Sequence, residues 1–462
     1  MILLKGGTVV SGSESFPADV LIDGETIAGV FRAGERNAVP RDAAVVDVSG
    51  RLLFPGFIDA HTHFDLHVAG TVTCDDFASG TKAAVAGGTT TVIDFGTQYE
   101  GESLREGMEN WLKKASAGVS CDFGVHMTIT DWNEEARAQC RDMMDEGLST
   151  FKIYMTYDIQ IDDKTVVEVL RRLKEVGGIT GCHCENAGLI DALRDEYASD
   201  ERLSKVSSHY LTRPPEAEAE AIDRYLHFAE VVGAPVIDVH LTCEAGLNEI
   251  REARKRGVRV YAETCPQYLV LDDSLYELPG FEGAKYVCAP PLRKKIDQDA
   301  LWHALSSGEI QTVCTDHCAF TVRQKELGKD DFRKIPGGMP GVETRGEIMF
   351  SEGVKKGRIT QEQFCALLSE NVARLYGLFP QKGVIREGSD ADIVVLDPAA
   401  KKTITVENQV SKCDYAPLEG TEVTGVVEQV YLRGTLVAEN GRVVSEGNGR
   451  FLKRHQPECF PI

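Results

Sequence analysis

The chain lacks any apolar run of about 20 residues, the length a membrane-spanning helix needs, and its opening Met1-Ile2-Leu3-Leu4 is broken at once by Lys5-Gly6-Gly7. Neither a spanning segment nor a secretory leader is therefore expected, and the reading is cytoplasmic. Positive charge is also scarce. Against 72 Asp and Glu stand only 50 Lys and Arg, a formal net charge of -22. A nucleic-acid backbone or an anionic membrane would be repelled within a Debye length of about 8 Å, so a small neutral ligand is the expected partner. The 13 cysteines include no Cys-x-x-Cys pair at zinc-ribbon spacing, and their scatter and odd number fit reduced core thiols. No Gly-x-Ser-x-Gly nucleophile elbow is present. Gly87-Gly88 lacks the spacing of a nucleotide loop and reads as a helix-ending turn.

What the chain does have is length and an ordinary globular composition, with 462 residues, 42% hydrophobic and 26% charged. That is enough for an α/β barrel of about 250 residues and more besides. The first fifty residues show no helical period; Leu3 to Val10, Val20 to Ile22 and Ile27 to Val30 read as short strands around tight turns such as Asp23-Gly24. The same texture returns at Gly383 to Ile385, Ile393 to Leu396, Thr403 to Thr405 and Val426 to Leu432, so the two ends are expected to pair into one β-sandwich. Between them, apolar runs alternate with helix-length amphipathic segments, the pattern of parallel strands joined by helices. Eight strands are predicted, at 56–60, 90–95, 123–127, 150–154, 180–184, 236–240, 258–263 and 311–315, which fits a (β/α)8 barrel whose reacting groups sit where strands end. The expected division is 1–50 and 379–462 for the sandwich and 51–378 for a metal-binding barrel.

The first barrel strand ends in Asp59-Ala60-His61-Thr62-His63. Alternate residues of a strand share a face, so His61 and His63 present two imidazoles about 6 to 7 Å apart at the backbone, a spacing that suits one metal ion. Three later apolar runs also close on polar groups: His183 in GCHCEN, His240 in DVHLT and Asp316 in CTDHC. Any one of these alone reads equally as a hydrogen-bonded histidine or a helix-capping aspartate. Gathered at one edge of a barrel, four His and an Asp form a ligand inventory suited to Zn, Mn or Fe rather than Ca. Lys152, inside the apolar run Thr150-Phe151-Lys152-Ile153-Tyr154, has two readings. It is either a lysine stretching to the barrel mouth, or a neutral amine that has captured carbon dioxide, because an unpaired buried ammonium tends to lose its proton. Alternation turns Cys182 and Cys184 away from His183, and His317 away from Asp316.

The blocks PGFIDAHTHFD, STFKIYMTY, HCEN, DVHLT, TCPQYL, APPLR, TDHC and PGVETR, in this order, resemble the cyclic amidohydrolases of the hydantoinase and dihydropyrimidinase family over nearly the whole chain. HTHF, CDDF, ETCPQYL and the closing GRFLKR bring it nearest the D-phenylhydantoinase branch. The resemblance implies a TIM barrel with a β-sandwich built from both ends, a homotetramer, and two divalent metal ions bridged by a carboxylated Lys152, with zinc ahead of manganese or iron. By the same resemblance His61, His63, Lys152 and Asp316 hold the more buried ion, and Lys152, His183 and His240 hold the other. A bridging hydroxide then attacks a ring carbonyl, Asp316 carries its proton to the departing nitrogen, and Tyr157 stabilises the oxyanion. Ala289 and Gly337 stand where the family often has Ser and Asn; these positions hold the ring through main-chain groups, which Ala and Gly also possess.

Phe64, Leu66, Val68, Phe95 and Ile159 are expected to line an apolar pocket for the ring substituent. The segment after Tyr157, from Asp158 to Asp163, is shorter than in many dihydropyrimidinases, which leaves room. The resulting expectation is hydrolytic opening of a small cyclic ureide, a 5-substituted aromatic hydantoin, to an N-carbamoyl amino acid. The alternatives are a dihydropyrimidinase acting on dihydrouracil and a non-catalytic scaffold relative; scaffolds lack the complete ligand set present here. No additional Arg stands beside the apolar lid residues, as dihydroorotase or allantoinase would require. Residues Cys413 to Gly420 and the tail to Ile462 read poorly as sandwich strands, and either cover a neighbouring subunit or wrap their own barrel.

Overall fold

The computed structural model describes residues 1–32, 40–198 and 201–462; residues 33–39, within the N-terminal piece, and 199–200 lie outside that description. Eight strands stand side by side in chain order: Phe57–Thr62, Thr89–Thr97, Asp122–Thr128, Thr150–Tyr154, Ile179–His183, Val236–Asp238, Val260–Thr264 and Thr312–Val313. Every paired neighbour runs parallel. All nine residues of Thr89–Thr97 are buried, as parallel strands covered on both faces require. The helix Phe77–Ala86 ends at Gly87, and Gly88 takes a φ of 92°, so this glycine pair is the turn that feeds the second strand.

Side chains and caps seal the seam between first and eighth strands, because the eighth has only two residues in regular pairing. Asp59 accepts from the Thr315 N–H (3.1 Å) and hydroxyl (2.6 Å), while the His63 N–H donates to the His317 carbonyl (2.8 Å). Lower down, the fully buried Arg345 donates to the carbonyls of Ile58 (2.8 Å) and Val313 (2.9 Å), one on each side of the gap. This stitching swings Asp316 over the first strand, where His61 and His63 lie.

The chain ends form a single nine-stranded sheet. Its order is Arg442–Val443, Thr435–Glu439, Glu422–Leu432, Ile393–Thr403, Leu52–Pro55, Ile2–Val10, Ser15–Asp23 and Thr26–Arg32, with Ala44–Asp47 paired to the edge of Ile2–Val10. Leu52–Pro55 therefore sits in the end sheet rather than the barrel, joining the N- and C-terminal parts. The strands expected at 393–396 and 403–405 are one strand with a register shift between Asp397 and Lys401. The Asp397 carboxylate accepts from the N–H groups of Ala399 (2.8 Å) and Ala400 (3.1 Å), so what reads as a break at Asp397-Pro398 is a bulge. Gly383 to Ile385 forms no strand; it lies in turns, with Ile385 packed into the end-sheet core.

The C-terminal segments wrap their own barrel. Lys412 and Ser411 tie to Asp75, and Phe451 bridges to Phe123 at the start of the third strand. Under the barrel floor Lys382 is buried among Asp122 (2.9 Å), Asp390 (3.0 Å) and Asp392 (2.7 Å), and Arg433 pairs with Asp122. All thirteen cysteines are free, and all but Cys74 and Cys459 are buried; Cys182 and Cys184 face the helices, in the core shared with them.

Candidate metal centre and active site

Four histidines and Asp316 converge where the barrel strands end. The ligand atoms of His61, His63 and Asp316 all lie within 4.8 Å of one another, with Asp316 Oδ1 3.3 Å from His61 Nε2 and 3.1 Å from His63 Nε2. The His240 ring centroid is 5.4 Å from that of His61 and 4.5 Å from that of His183, which completes an unbroken row of imidazoles. Two of these rings have their outer nitrogens fixed. His61 Nδ1 meets Glu263 Oε1 at 2.6 Å, and His183 Nε2 meets Glu185 Oε2 at 2.7 Å. Each carboxylate sets the tautomer and leaves the other ring nitrogen as the ligating one.

Burial pushes the imidazoles of His61 and His240 well down and that of His183 down, so all three are neutral and able to coordinate. Burial alone would raise the Asp316 carboxyl, but the facing His61 and His63 outweigh it and the net shift is downward, keeping an anion at the centre of the cluster. Glu263 is pushed up to about 7 by burial. The Arg213 guanidinium overcomes burial at Glu185, whose carboxyl falls to about 2.

Lys152 points into this cluster from the fourth strand with 1% of its surface exposed. Among the described residues its Nζ has no hydrogen-bond partner; it lies 5.0 Å from the centroid of the Tyr154 ring and 5.3 Å from that of Phe95. Burial lowers its pKa. A lone amine in such a place carries an orphaned polar group that costs about 1 to 3 kcal/mol. A group that turned it into an anion between cations would remove that cost, so the residues present fit a metal pair held in part through Lys152.

Three residues of the site hold left-handed backbone: Tyr157 at φ 68°, His240 at 46° and Asp316 at 52°. None is glycine, and each such conformation costs on the order of 1 to 3 kcal/mol. Tyr157 stands at the mouth, 37% exposed, its ring 5.0 Å from that of His183 and 5.3 Å below the Arg213 guanidinium. Desolvation raises its pKa, so the phenol stays protonated and able to donate.

The predicted wall is only partly assembled. Phe95 lies against His61 (4.6 Å) and His63 (4.9 Å), and Leu66 and Ile159 are half-buried while Val68 is exposed. Phe64, expected on the wall, is instead fully buried against Phe77 and His317. Regular strand geometry ends at Thr62, and the Phe64 N–H donates to Asp94 Oδ2 (2.9 Å), so the chain turns that ring inward. Ala289 and Gly337 lie side by side; a Cβ placed on Gly337 would lie 3.9 Å from the Ala289 nitrogen. Sequence reading missed Glu263, Glu185 and Arg213. The signal for Glu263 was of the kind that singled out Lys152, a charge inside the apolar run Val260-Tyr261-Ala262-Glu263.

The profile of the amidohydrolase family matches residues 52–437. Over 457 residues the chain is 44% identical to a D-hydantoinase of Geobacillus stearothermophilus, covering 98% of this chain and 96% of the relative. It is 40% identical to a D-phenylhydantoinase of Escherichia coli strain SE11, covering 100% and 99%. The solved dihydropyrimidinase from Brevibacillus agri superposes with a TM-score of 0.96 at 44% identity over 99% of both chains. An L-hydantoinase from Arthrobacter aurescens superposes at 0.88 with 28% identity over 98% and 99%. The chain therefore belongs to the amidohydrolase family, whose members generally use divalent metals. Within it, this chain is a cyclic amidase, a hydrolase of the hydantoinase and dihydropyrimidinase kind.

Proposed function

We propose that this enzyme opens 5-substituted hydantoins, preferentially those with an aromatic substituent, to N-carbamoyl amino acids. His61, His63, Lys152 and Asp316 would hold one divalent ion and Lys152, His183 and His240 a second, with Lys152 carboxylated and zinc the first expectation ahead of manganese or iron. The observation that carries this reading is the amine of Lys152, buried and without a hydrogen-bond partner among the described residues, beside four imidazoles and a carboxylate. When bound, such an ion pair supplies Lewis acidity and a water acidified to a pKa of about 7, hence a nucleophile at neutral pH.

The chain's own residues do the rest. Asp316, kept ionised by His61 and His63, accepts the proton of the attacking water and returns it to the ring nitrogen as the C–N bond breaks. Tyr157 donates its phenolic hydrogen to the developing oxyanion. Main-chain groups at Ala289 and Gly337 hold the ring, and Phe95, Leu66 and Ile159 offer apolar surface to its substituent. The same reading, supported by resemblance, makes the protein a cytoplasmic homotetramer, which light scattering checks.

The experiment is a hydrolysis panel of both phenylhydantoin enantiomers, dihydrouracil and allantoin, on protein of measured metal content loaded with bicarbonate. Phenylhydantoin should be the best substrate. Rapid turnover of dihydrouracil with none of phenylhydantoin overturns the aromatic preference, and inertness towards all four after loading with zinc or manganese overturns the reaction.

A further inference from the structure

Behind the mouth of the barrel lie two buried basic side chains with no part in the metal cluster. His209, on the short helix Ser208–Leu211, meets the Cys288 carbonyl at 2.7 Å through Nε2. Lys325, at the end of the helix Val322–Lys325, is 1% exposed and donates to three carbonyls: Val287 (2.9 Å), Pro336 (2.6 Å) and Gly338 (2.8 Å). No carboxylate pairs with its Nζ among the described residues; besides the three carbonyls it lies 5.6 Å from the centroid of the Phe320 ring.

The identity of those carbonyls matters. The Cys288 carbonyl and the Ala289 N–H belong to one peptide group, and so do the Pro336 carbonyl and the Gly337 N–H. A carbonyl that accepts a strong hydrogen bond makes the N–H of the same peptide a better donor. Among the described residues, neither the Ala289 nor the Gly337 N–H donates to another group of the chain, and Gly337 is exposed at the mouth. The Val287 carbonyl also accepts from the Gly338 N–H (2.9 Å), which locks the two strips of main chain together.

We propose that His209 and Lys325 are positioning residues for ring recognition, gripping the Cys288–Ala289 and Pro336–Gly337 peptides from behind so that their N–H groups point outward, polarised, as paired donors to the carbonyl of a cyclic imide that is not attacked. This rests on the reading of Ala289 and Gly337 as the ring-holding positions. Burial pushes the His209 imidazole down to about 3, so it is neutral, and a carbonyl partner fixes the proton on Nε2. Burial also brings Lys325 down to about 8, which leaves it charged at neutral pH. With both donors aimed at the carbonyl that is not attacked, an imide with two carbonyls is selected over a lactam with one.

The test uses metal-loaded enzyme and compares His209→Leu, which removes the donor, with His209→Gln, whose amide keeps one near the Nε2 position, and with Lys325→Met. KM and kcat for phenylhydantoin, metal content and the calorimetric Kd for phenylhydantoin are measured. H209L and K325M should raise KM and Kd about tenfold with kcat within about threefold and metal content unchanged, while H209Q stays near wild type. Equal behaviour of H209L and H209Q, or unchanged KM and Kd in H209L, overturns the proposal. If Lys325→Met fails to fold, the His209 pair decides alone. A wild type that binds phenylhydantoin without opening it defeats the ring-opening reading instead, and Kd across the His209 variants still decides this one.

Discussion

Lys152 at the barrel mouth and Lys382 beneath its floor are equally buried, at 1% and 2% exposure, yet their surroundings are opposite. Lys382 has three carboxylates within 3.0 Å, and their charge overcomes burial and raises its pKa. Lys152 has no hydrogen-bond partner among the described residues, and burial lowers its pKa. A compensated buried charge holds structure, whereas an uncompensated one is available for chemistry. The same division separates the regions around them. The mouth holds left-handed backbone at Tyr157, His240 and Asp316, and the floor holds it at Arg433, but the floor's buried Lys382 and Arg433 are ion-paired while Lys152 at the mouth has no such partner among the described residues.

Mouth substitutions should therefore damage turnover without stability, and floor substitutions the reverse. The largest effect is expected for Lys152→Met, which should lower kcat/KM by about 10⁴-fold or more, with metal content falling alongside. The metal-free variant should unfold no earlier than wild type in a denaturant titration; early unfolding would break the comparison. Lys382→Met comes next, because it removes the buried cation that Asp122, Asp390 and Asp392 share. It should cost about 3 to 5 kcal/mol of unfolding free energy, while the folded fraction keeps wild-type kcat. Tyr157→Phe should lower kcat by about 10²-fold, with KM and the thermal midpoint nearly unchanged.

The smallest effect is in pH, and there the two lysines should carry opposite signs. A lysine whose folded pKa lies below the ordinary 10.5 binds fewer protons folded than unfolded, so it penalises the fold at low pH and the penalty fades as pH rises towards 10.5. In metal-free protein, wild type should gain on Lys152→Met with rising pH. For Lys382 the folded pKa is raised, so its stabilisation is complete below 10.5 and is lost only above it. Thermal midpoints between pH 7 and 11 for the two variants check both signs.

Local pattern carried the barrel and the gathering of polar side chains at its mouth. All eight predicted strands are present, and His61, His63, His183, His240, Asp316 and Lys152 come together because each closes or interrupts an apolar run. The supporting layer was not legible, for a physical reason. Glu263 meets His61 across 202 positions and Asp59 meets Thr315 across 256, and no short-range period records a side-chain pair made between distant strands. Phe64 was expected on the wall because it is apolar and near a strand end, but beyond Thr62 strand geometry stops and nearness in sequence does not say which way a ring turns. The Asp397 bulge was read as a strand break because Asp-Pro signals a turn whether the chain leaves the sheet or only steps within it.

The pairing of the floor with residues far downstream also sets an order of events in a growing chain. Asp122, which opens the third barrel strand, accepts from the Arg450 N–H across 328 positions, and Phe123 bridges to Phe451. At about 5 to 20 residues per second of synthesis, that strand waits roughly 20 to 70 seconds for its final partners. Throughout that interval the underside of the third strand lacks the pairing that residues 450 and 451 give it in the finished fold.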